Sequence, residues 1–403
     1  MQVLITTAPG YGHVFAPVPL GWALRAAGHE VVLATAGRPE APLDVATWSG
    51  LPVVEVATPA QIDGVRAGLR ALRQRQAETA GVSMAGLLEQ MRAKARAAAR
   101  VGTGNPFDFA AEVYAPFAAA MADGLLAFAE RWRPDLLVHE SLQGAGPLVA
   151  ARLGVPAVEY VPGLCRGPEL PDRLRTEMAE QYARFGVPDR PEPAAVIEVA
   201  PPSVAVNQPY GWPSRHVPFN GAPVLAGWLL EPPADRPRIA VTFGSVVPHR
   251  LGVAPLRPIL AAAARVDAEF VVAVGTVDPA ALGELPANVR LCPGYLPLGA
   301  LLTSCAAVIH HGGPATCLAA LEAGLPQLLL PELADQFINA AALARRGCGV
   351  AVEELPDGIL PTGAVDRLLA DAALARAAAA VRREMAALPA PAELVHRLVA
   401  LTN

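Results

Sequence analysis

Short apolar runs alternate with segments of helical period along nearly the whole chain, and the alternation occurs twice, once on each side of a proline-rich stretch. In the first half, Gln2 to Ala8 is an apolar run and Pro9 to Gly12 a Gly/Pro loop. Val14 to Ala27 then carries a helical pattern, closed by Gly28 before a second run, Glu30 to Thr35. This is a β-loop-α-β unit. Further strands are expected at Pro52 to Val56, Asp135 to His139 and Ala157 to Tyr160, the middle one preceded by a helical stretch from Phe107 to Trp132. In the second half, strands are expected at Arg238 to Phe243, Phe270 to Val274, Val289 to Leu291, Ala306 to His310 and Gln327 to Leu330. Strands separated by helices predict parallel sheets covered on both faces.

At roughly 150 residues per domain, 403 residues allow two or three domains, and 53% hydrophobic residues can fill two large cores. The pattern predicts a first domain over 1–205, a Pro-rich linker over 206–236, a second domain over 237–385 and a terminal segment over 386–403. The terminal segment carries Leu394, Val395, Leu398 and Leu401 on one helical face, an arrangement suited to packing back on the first domain.

Composition narrows the function. A membrane span needs about 18 or more consecutive apolar residues, and the longest apolar stretches are cut by Gly, Pro, Arg or Glu, so no transmembrane helix is expected. Met1 to Ala8 lacks a basic start and reads as a strand rather than a secretory leader, which points to the cytoplasm. A net charge of −5 without an Arg-dense tract argues against nucleic acid as a partner. Cys165, Cys292, Cys305, Cys317 and Cys348 are odd in number, widely spaced and free of CxxC pairs, and read as buried reduced thiols. A small-molecule enzyme is the class that remains.

The strongest local signal is the run AAVIHHGGPATCLAALEAG, residues 306–324. An apolar strand ends at His310 and His311, Gly312 and Gly313 allow a tight turn, and Pro314 suits the first position of a helix. The amides of Ala315 and Thr316 then open the helix, a natural seat for a phosphate at the end of a parallel strand. Thr316 adds a hydroxyl donor, and a histidine adds a donor that can be cationic. An ordinary strand-helix turn is the plainer alternative. Further on, Asp335 and Gln336 precede another helix, where Asp335 is either an N-cap or, with Gln336, a partner for sugar hydroxyls. In the first half, His13 follows the loop APGYG, at a rim where ligands bind in open sheets, and its titration range suits a general base. Glu140, ending LLVHE, is either a solvated loop carboxylate or the group that orients that imidazole. Phe15 replaces the third glycine of a dinucleotide fingerprint, and no P-loop motif occurs, so neither nicotinamide nor P-loop chemistry is supported.

Taken together these segments resemble the inverting nucleotide-sugar glycosyltransferases of GT-B fold, family 1 type, especially the bacterial branch that decorates polyketides and other antibiotics. The resemblance covers essentially the whole chain: RAAGHEV (25–31), PDLLVHE (134–140), LGVPAV (153–158), RHVPFNG (215–221), VTFGS (241–245), and the stretch from CAAVIHHGGPAT through ALEAGLPQLLLPELADQ. It implies two Rossmann-like doubly wound domains facing a central cleft, the first binding the acceptor and the second the sugar donor. His13 matches the family's catalytic base, and Glu140 stands where an aspartate often partners it. Ser245 and Thr316 match donor-phosphate contacts, with His311 ahead of His310 for the diphosphate and Gly312, Gly313 and Ala315 shaping the turn. Tyr295 and Leu296 match the nucleobase contacts, and Asp335 and Gln336 the sugar-contacting pair. Pro314-Ala315 departs from the family's small residue followed by Gly.

The resemblance implies inverting transfer without a metal or other cofactor, from a nucleotide sugar, TDP-linked ahead of UDP-linked, to a hydrophobic aglycone such as a polyketide. It also admits a homodimer. Phe107, Phe109, Tyr114 and Phe117 are candidate walls of the acceptor pocket, although helical spacing fits core packing as well. Attack by oxygen or by carbon stays open at this level. Two other readings are a non-catalytic protein of the same fold that binds one of the substrates and a nucleotide-sugar epimerase; His13 together with the donor pair counts against the first, and the long apolar region 60–180 against the second.

Overall fold

The computed structural model describes the chain apart from residues 38–45, 102–105, 166, 168, 208–210, 222–223, 230, 232, 234–235, 276–277, 334 and 356–357. Two compact units emerge. One comprises Met1–Ala200, Asn207–Arg215 and Leu388–Asn403, and the other Pro201–Val206 and His216–Ala387.

The first unit holds a seven-stranded sheet of β1 (Gln2–Thr6), β2 (Glu30–Thr35), β3 (Val53–Glu55), β4 (Leu136–Glu140), β5 (Ala157–Val161), β6 (Ala195–Glu198) and β7 (Trp212–Pro213), in the order β3-β2-β1-β4-β5-β6-β7. All its pairings are parallel. The second holds six strands, β8 (Arg238–Thr242), β9 (Glu269–Gly275), β10 (Val289–Pro293), β11 (Ala307–His310), β12 (Gln327–Leu329) and β13 (Gly349–Ala351), ordered β10-β9-β8-β11-β12-β13 and again all parallel. Both are doubly wound Rossmann-like sheets. In each the chain runs outward to one edge, then returns to the middle and runs to the other, so the order reverses between β1 and β4 and between β8 and β11.

Every second strand residue faces the same side, and both sides are apolar here. In the first sheet Leu4, Ala34, Leu137 and Ala157 meet Met121, Ala122 and Leu125 of the Pro106–Trp132 helix. In the second, Ile239, Val241, Val272 and Ile309 belong to one core cluster, while Ala240, Val271 and Val308 pack with Leu301, Ala319 and Ala320 in another. That two-sided burial explains why these strands read as continuous apolar runs. Three strands are not apparent in the pattern. β6 and β13 are short, and β7 is a two-residue strand beside Pro-rich sequence.

The segment Phe109–Trp132 is long and apolar enough by composition to cross a membrane, in contrast to the expectation of no such helix. Its Ala111, Ala115, Phe117, Ala118, Met121, Ala122, Leu125 and Ala129 are buried in the core of the first unit. The Pro391–Ala400 helix packs on the Val18–Ala26 helix, burying Leu394, Val395 and Leu398. Arg397 lies over the Trp212 ring at 3.9 Å, and the Arg215 amide donates to the Pro389 carbonyl at 2.7 Å.

Gly124 sits where the Pro106–Trp132 helix crosses the end of β3, and a Cβ there would overlap the Val56 carbonyl. Backbone cannot yield as a flexible side chain can. Gly124→Ala is therefore expected to destabilise the protein by about 1–3 kcal/mol, the usual cost of overpacking, read as a lower urea midpoint at unchanged m-value.

Candidate active site

The first sheet's reversal point carries His13 and Glu140. Gly10, at φ 143, starts the turn after β1, and its carbonyl accepts from the amides of His13 (3.2 Å) and Val14 (2.9 Å). A short helix, Tyr11–Phe15, places His13 one turn from the strand end. The single helix expected over 14–27 is in fact broken before Val18–Ala26. Pro17 is the cause, because it has no N–H to donate to the His13 carbonyl. Tyr160 of β5 braces the turn, its hydroxyl donating to the Ala16 carbonyl at 2.9 Å.

Glu140 ends β4 and is almost wholly buried. Its Oε1 accepts from the Leu142 amide at 3.2 Å and the Ser141 hydroxyl at 3.4 Å. Its Oε2 faces His13 Nδ1 at 3.4 Å, ion-pair range without an aligned hydrogen bond. The other ring nitrogen, Nε2, lies 3.0 Å from the Tyr114 hydroxyl, and the His13 side chain remains 21% exposed. Tyr11 and Phe15 of the same short helix form an aromatic cluster with Trp48, centroids 5.9–6.5 Å apart, in which Trp48 is 37% exposed and Phe15 buried. His139, Ser141, Gln143, Glu159, Tyr182 and Arg190 line a small separate pocket. Strand alternation puts His139 on the face of β4 opposite Glu140.

Of the aromatic residues expected to wall an acceptor pocket, Tyr114 contacts His13. Phe109 is partly buried under Arg73, whose guanidinium lies 5.0 Å from its ring. Phe117 is 6% exposed and belongs to the core, so it offers no face to a ligand. The side chain of Phe107 lies outside the described residues.

At the second reversal point, β11 ends in His310 and the Pro314–Ala323 helix begins after Gly313 with no side-chain cap. The Ala315 and Thr316 amides therefore have no partner within their own helix. Gly312, at φ 88, donates its amide to His310 Nδ1 at 3.1 Å, and His310 Nε2 meets Gln327 Oε1 at 2.8 Å. Accepting at Nδ1 makes Nε2 the protonated nitrogen. With both nitrogens used and no exposed surface, His310 holds the turn and cannot reach a donor, a correction to its expected role.

His311 stacks on Phe243 at 6.2 Å. A Cβ on Gly313 would collide with its ring, and one on Gly244 would lie 3.0 Å from its Cε1. Its Nδ1 has no hydrogen-bond partner. Burial, aided by neighbouring His310 and opposed by the Thr242 backbone, pushes His311 down to about 3. Burial likewise lowers His310 to about 4, against a smaller opposite effect of the Gln327 bond. Burial thus keeps His311 neutral at pH 7, so it does not supply the cation that a histidine at this turn was expected to bring.

Other expected donor contacts follow the same rim. Ser245, exposed, succeeds β8; Tyr295, 37% exposed, and Leu296, partly buried, succeed β10. Asp335 begins the Gln336–Arg346 helix without capping it through its side chain, and its Oδ2 instead accepts from Asn339 Nδ2 at 3.2 Å. The same Nδ2 donates to the Gly312 carbonyl at 2.9 Å, tying Asp335 to the glycine turn. Gln336 is buried, and its Oε1 accepts from the amides of Glu332 (2.9 Å) and Leu333 (3.0 Å). That oxygen shapes the loop, which leaves the Nε2 amide as the part of the side chain for the expected sugar contact. Sequence reasoning did not single out Asn339, Gln327 or the Tyr11–Phe15–Trp48 cluster. The helical i,i+4 spacing of Asp335 and Asn339, and a glutamine opening an apolar strand, are the signals that point to the first two.

The chain matches the family described as erythromycin biosynthesis protein CIII-like, over residues 22–244 for its N-terminal domain and 257–401 for its C-terminal domain. It is 38% identical over 400 residues to the elloramycin glycosyltransferase ElmGT of Streptomyces olivaceus, covering 99% of this chain and 97% of that one. The crystal structure of the glycosyltransferase SnogD from Streptomyces nogalater superposes with a TM-score of 0.78 at 40% identity, over 100% of this chain and 99% of SnogD. The spinosyn rhamnosyltransferase SpnG complexed with thymidine diphosphate gives a TM-score of 0.78 at 28% identity, over 99% of this chain and 100% of SpnG.

A histidine held far below its unfolded value of about 6.5 makes the unfolded chain bind more protons at acid pH. His310 and His311, and His216, which burial lowers to about 4, all act in this sense. Their contribution to stability is whole above about pH 6.5 and is lost as pH falls toward 4, at up to roughly 1 kcal/mol per pH unit for each group. Urea midpoints should drop between pH 7.5 and 5, with a shallower fall in His310→Gln.

Proposed function

The chain belongs to the erythromycin biosynthesis protein CIII-like family, and on that footing we propose that it is an inverting GT-B glycosyltransferase. It moves a sugar, by this reading a thymidine-diphosphate-linked deoxysugar, to a hydrophobic natural-product acceptor such as a polyketide. One observation carries the reading: a histidine base with a buried carboxylate lies at the reversal point of one sheet, and a bare helix N-terminus beside a neutral imidazole lies at that of the other. The first unit then serves the acceptor and the second the donor. The thymidine diphosphate in SpnG supports the choice of nucleotide.

His13 Nε2 takes the proton of an acceptor hydroxyl as its oxygen bonds to the anomeric carbon. The carbon–oxygen bond to phosphate breaks on the opposite face, which inverts the centre. Glu140 Oε2 stabilises the imidazolium that forms, and a small rotation of either side chain aligns the pair, in the way catalytic hydrogen bonds tighten on substrate binding. The leaving diphosphate gathers charge that the Ala315 and Thr316 amides, the Thr316 hydroxyl and His311 receive as donors. Fixed dipoles need no reorganisation at the moment of bond breaking, and by this reading no metal takes part. Trp48, 37% exposed and edge to face with Tyr11 at 6.4 Å, supplies an aromatic surface for the hydrophobic acceptor.

The test is a matrix of purified protein, TDP- and UDP-sugars and polyketide aglycones read by mass spectrometry, with His13→Ala as the control. Glycosylated product with inverted anomeric configuration is expected from the wild type, and His13→Ala should lower kcat by about 10²- to 10⁴-fold while still binding TDP. Unchanged turnover in the variant removes His13 from the base role. On the donor side, Asp335→Ala should weaken the TDP-sugar more than TDP itself in calorimetric titrations. Equal weakening of the two ligands assigns Asp335 to holding Asn339 and the turn.

A further inference from the structure

His13 is held between two partners. Glu140 Oε2 lies 3.4 Å from Nδ1 and the Tyr114 hydroxyl 3.0 Å from Nε2, with the His13 and Tyr114 rings edge to face at 5.1 Å. The carboxylate favours the tautomer protonated at Nδ1, so the ring's one lone pair is on Nε2. A phenol is a hydrogen-bond donor, and at this separation its O–H fills that lone pair. The Tyr114 hydroxyl therefore stands where an acceptor hydroxyl must stand to give its proton to the base. One lone pair cannot serve both.

We infer that Tyr114 is a positioning residue that caps the base, holding the Nε2 lone pair toward the nucleophile's place and yielding only to a hydroxyl on a well-seated acceptor. The inference rests on the glycosyl-transfer reading above. Its consequence concerns water. At an uncapped Nε2, the oxygen of a water molecule would bond to the anomeric carbon and the sugar–phosphate bond would break with its electron pair going to the diphosphate. The proton would end on His13, and the donor would be lost as free sugar. The phenol is carried on the same unit and already lies within hydrogen-bond distance of Nε2, so it occupies the lone pair ahead of solvent water. An acceptor that also packs on the exposed Trp48 ring has the additional binding energy to displace it. The local chain suits such a displacement. Tyr114 is only partly buried, and Pro116, inside the same helix, has no N–H to donate to the Glu112 carbonyl, which loosens the turn that carries the tyrosine.

Tyr114→Phe keeps the ring and removes the hydroxyl. With the most active TDP-sugar and no acceptor, the variant should release free sugar several-fold faster than wild type. Its KM for acceptor should fall, because the nucleophile no longer competes with the phenol. Wild-type values on both readouts overturn the inference. So does a lower kcat with KM unmoved, which makes Tyr114 a proton relay. A readout independent of turnover is the ¹⁵N spectrum of the histidine-labelled full-length chain without substrate. One Nε2 resonance should move in Tyr114→Phe and be missing in His13→Gln, and the absence of any such response refutes the contact. If the resonance moves but neither protein transfers or hydrolyses any nucleotide sugar, the glycosyl-transfer reading fails and the capping role falls with it.

Discussion

The reversal of strand order in the middle of each sheet is the constraint on which the placement of each unit's candidate residues depends. Where neighbouring parallel strands send their crossovers to opposite faces, the loops after them diverge and leave backbone and side chains open at the strand ends. His13 after β1 and Glu140 at the end of β4 exploit this in the first unit. Ser245 after β8 and the His-His-Gly-Gly turn after β11 exploit it in the second. The apolar cores on both sheet faces serve chiefly to fix those strand ends.

The two reversal points solve opposite electrostatic problems. At the first, a buried carboxylate is retained beside an imidazole, an arrangement suited to receiving a proton. At the second, burial strips both histidines of charge, and His310 is committed to a neutral network of Gly312 and Gln327 that freezes the turn. Positive potential there comes from the helix N-terminus and from oriented N–H donors rather than from a formal cation. Asn339 extends the network by joining the Gly312 carbonyl to Asp335, which ties the glycine turn to the start of the Gln336–Arg346 helix.

Much of this was legible in the sequence because parallel strands buried on both faces leave unmistakable apolar runs, and because a strand, two glycines, a proline and a helix in succession have one economical geometry. His13, Glu140 and the residues from His310 to Thr316 were placed on the correct strand ends by that reasoning. What was not legible depended on contacts distant in sequence. Nothing local says that Tyr114, 101 residues beyond His13, meets its Nε2, or that Gln336 turns its oxygen back to its own loop. Phe117 follows the same periodicity as Tyr114 yet faces the core, since helical spacing does not say which side of a long helix a sheet will cover. The break at Pro17 was readable in principle, and it is what sets His13 on a short helix of its own.

In the proposed reading a helix N-terminus and a neutral imidazole, shaped by glycines, make the anion seat of the second unit. Titrating TDP into the protein by calorimetry in EDTA and again in magnesium chloride tests it most directly, with Gly313→Ala alongside because a Cβ there intrudes on the His311 ring. The expected outcome is the same Kd in both buffers and binding at least about tenfold weaker in Gly313→Ala, the equivalent of roughly 1.4 kcal/mol. Affinity that appears only with magnesium, or that survives the Gly313 substitution unchanged, would contradict it.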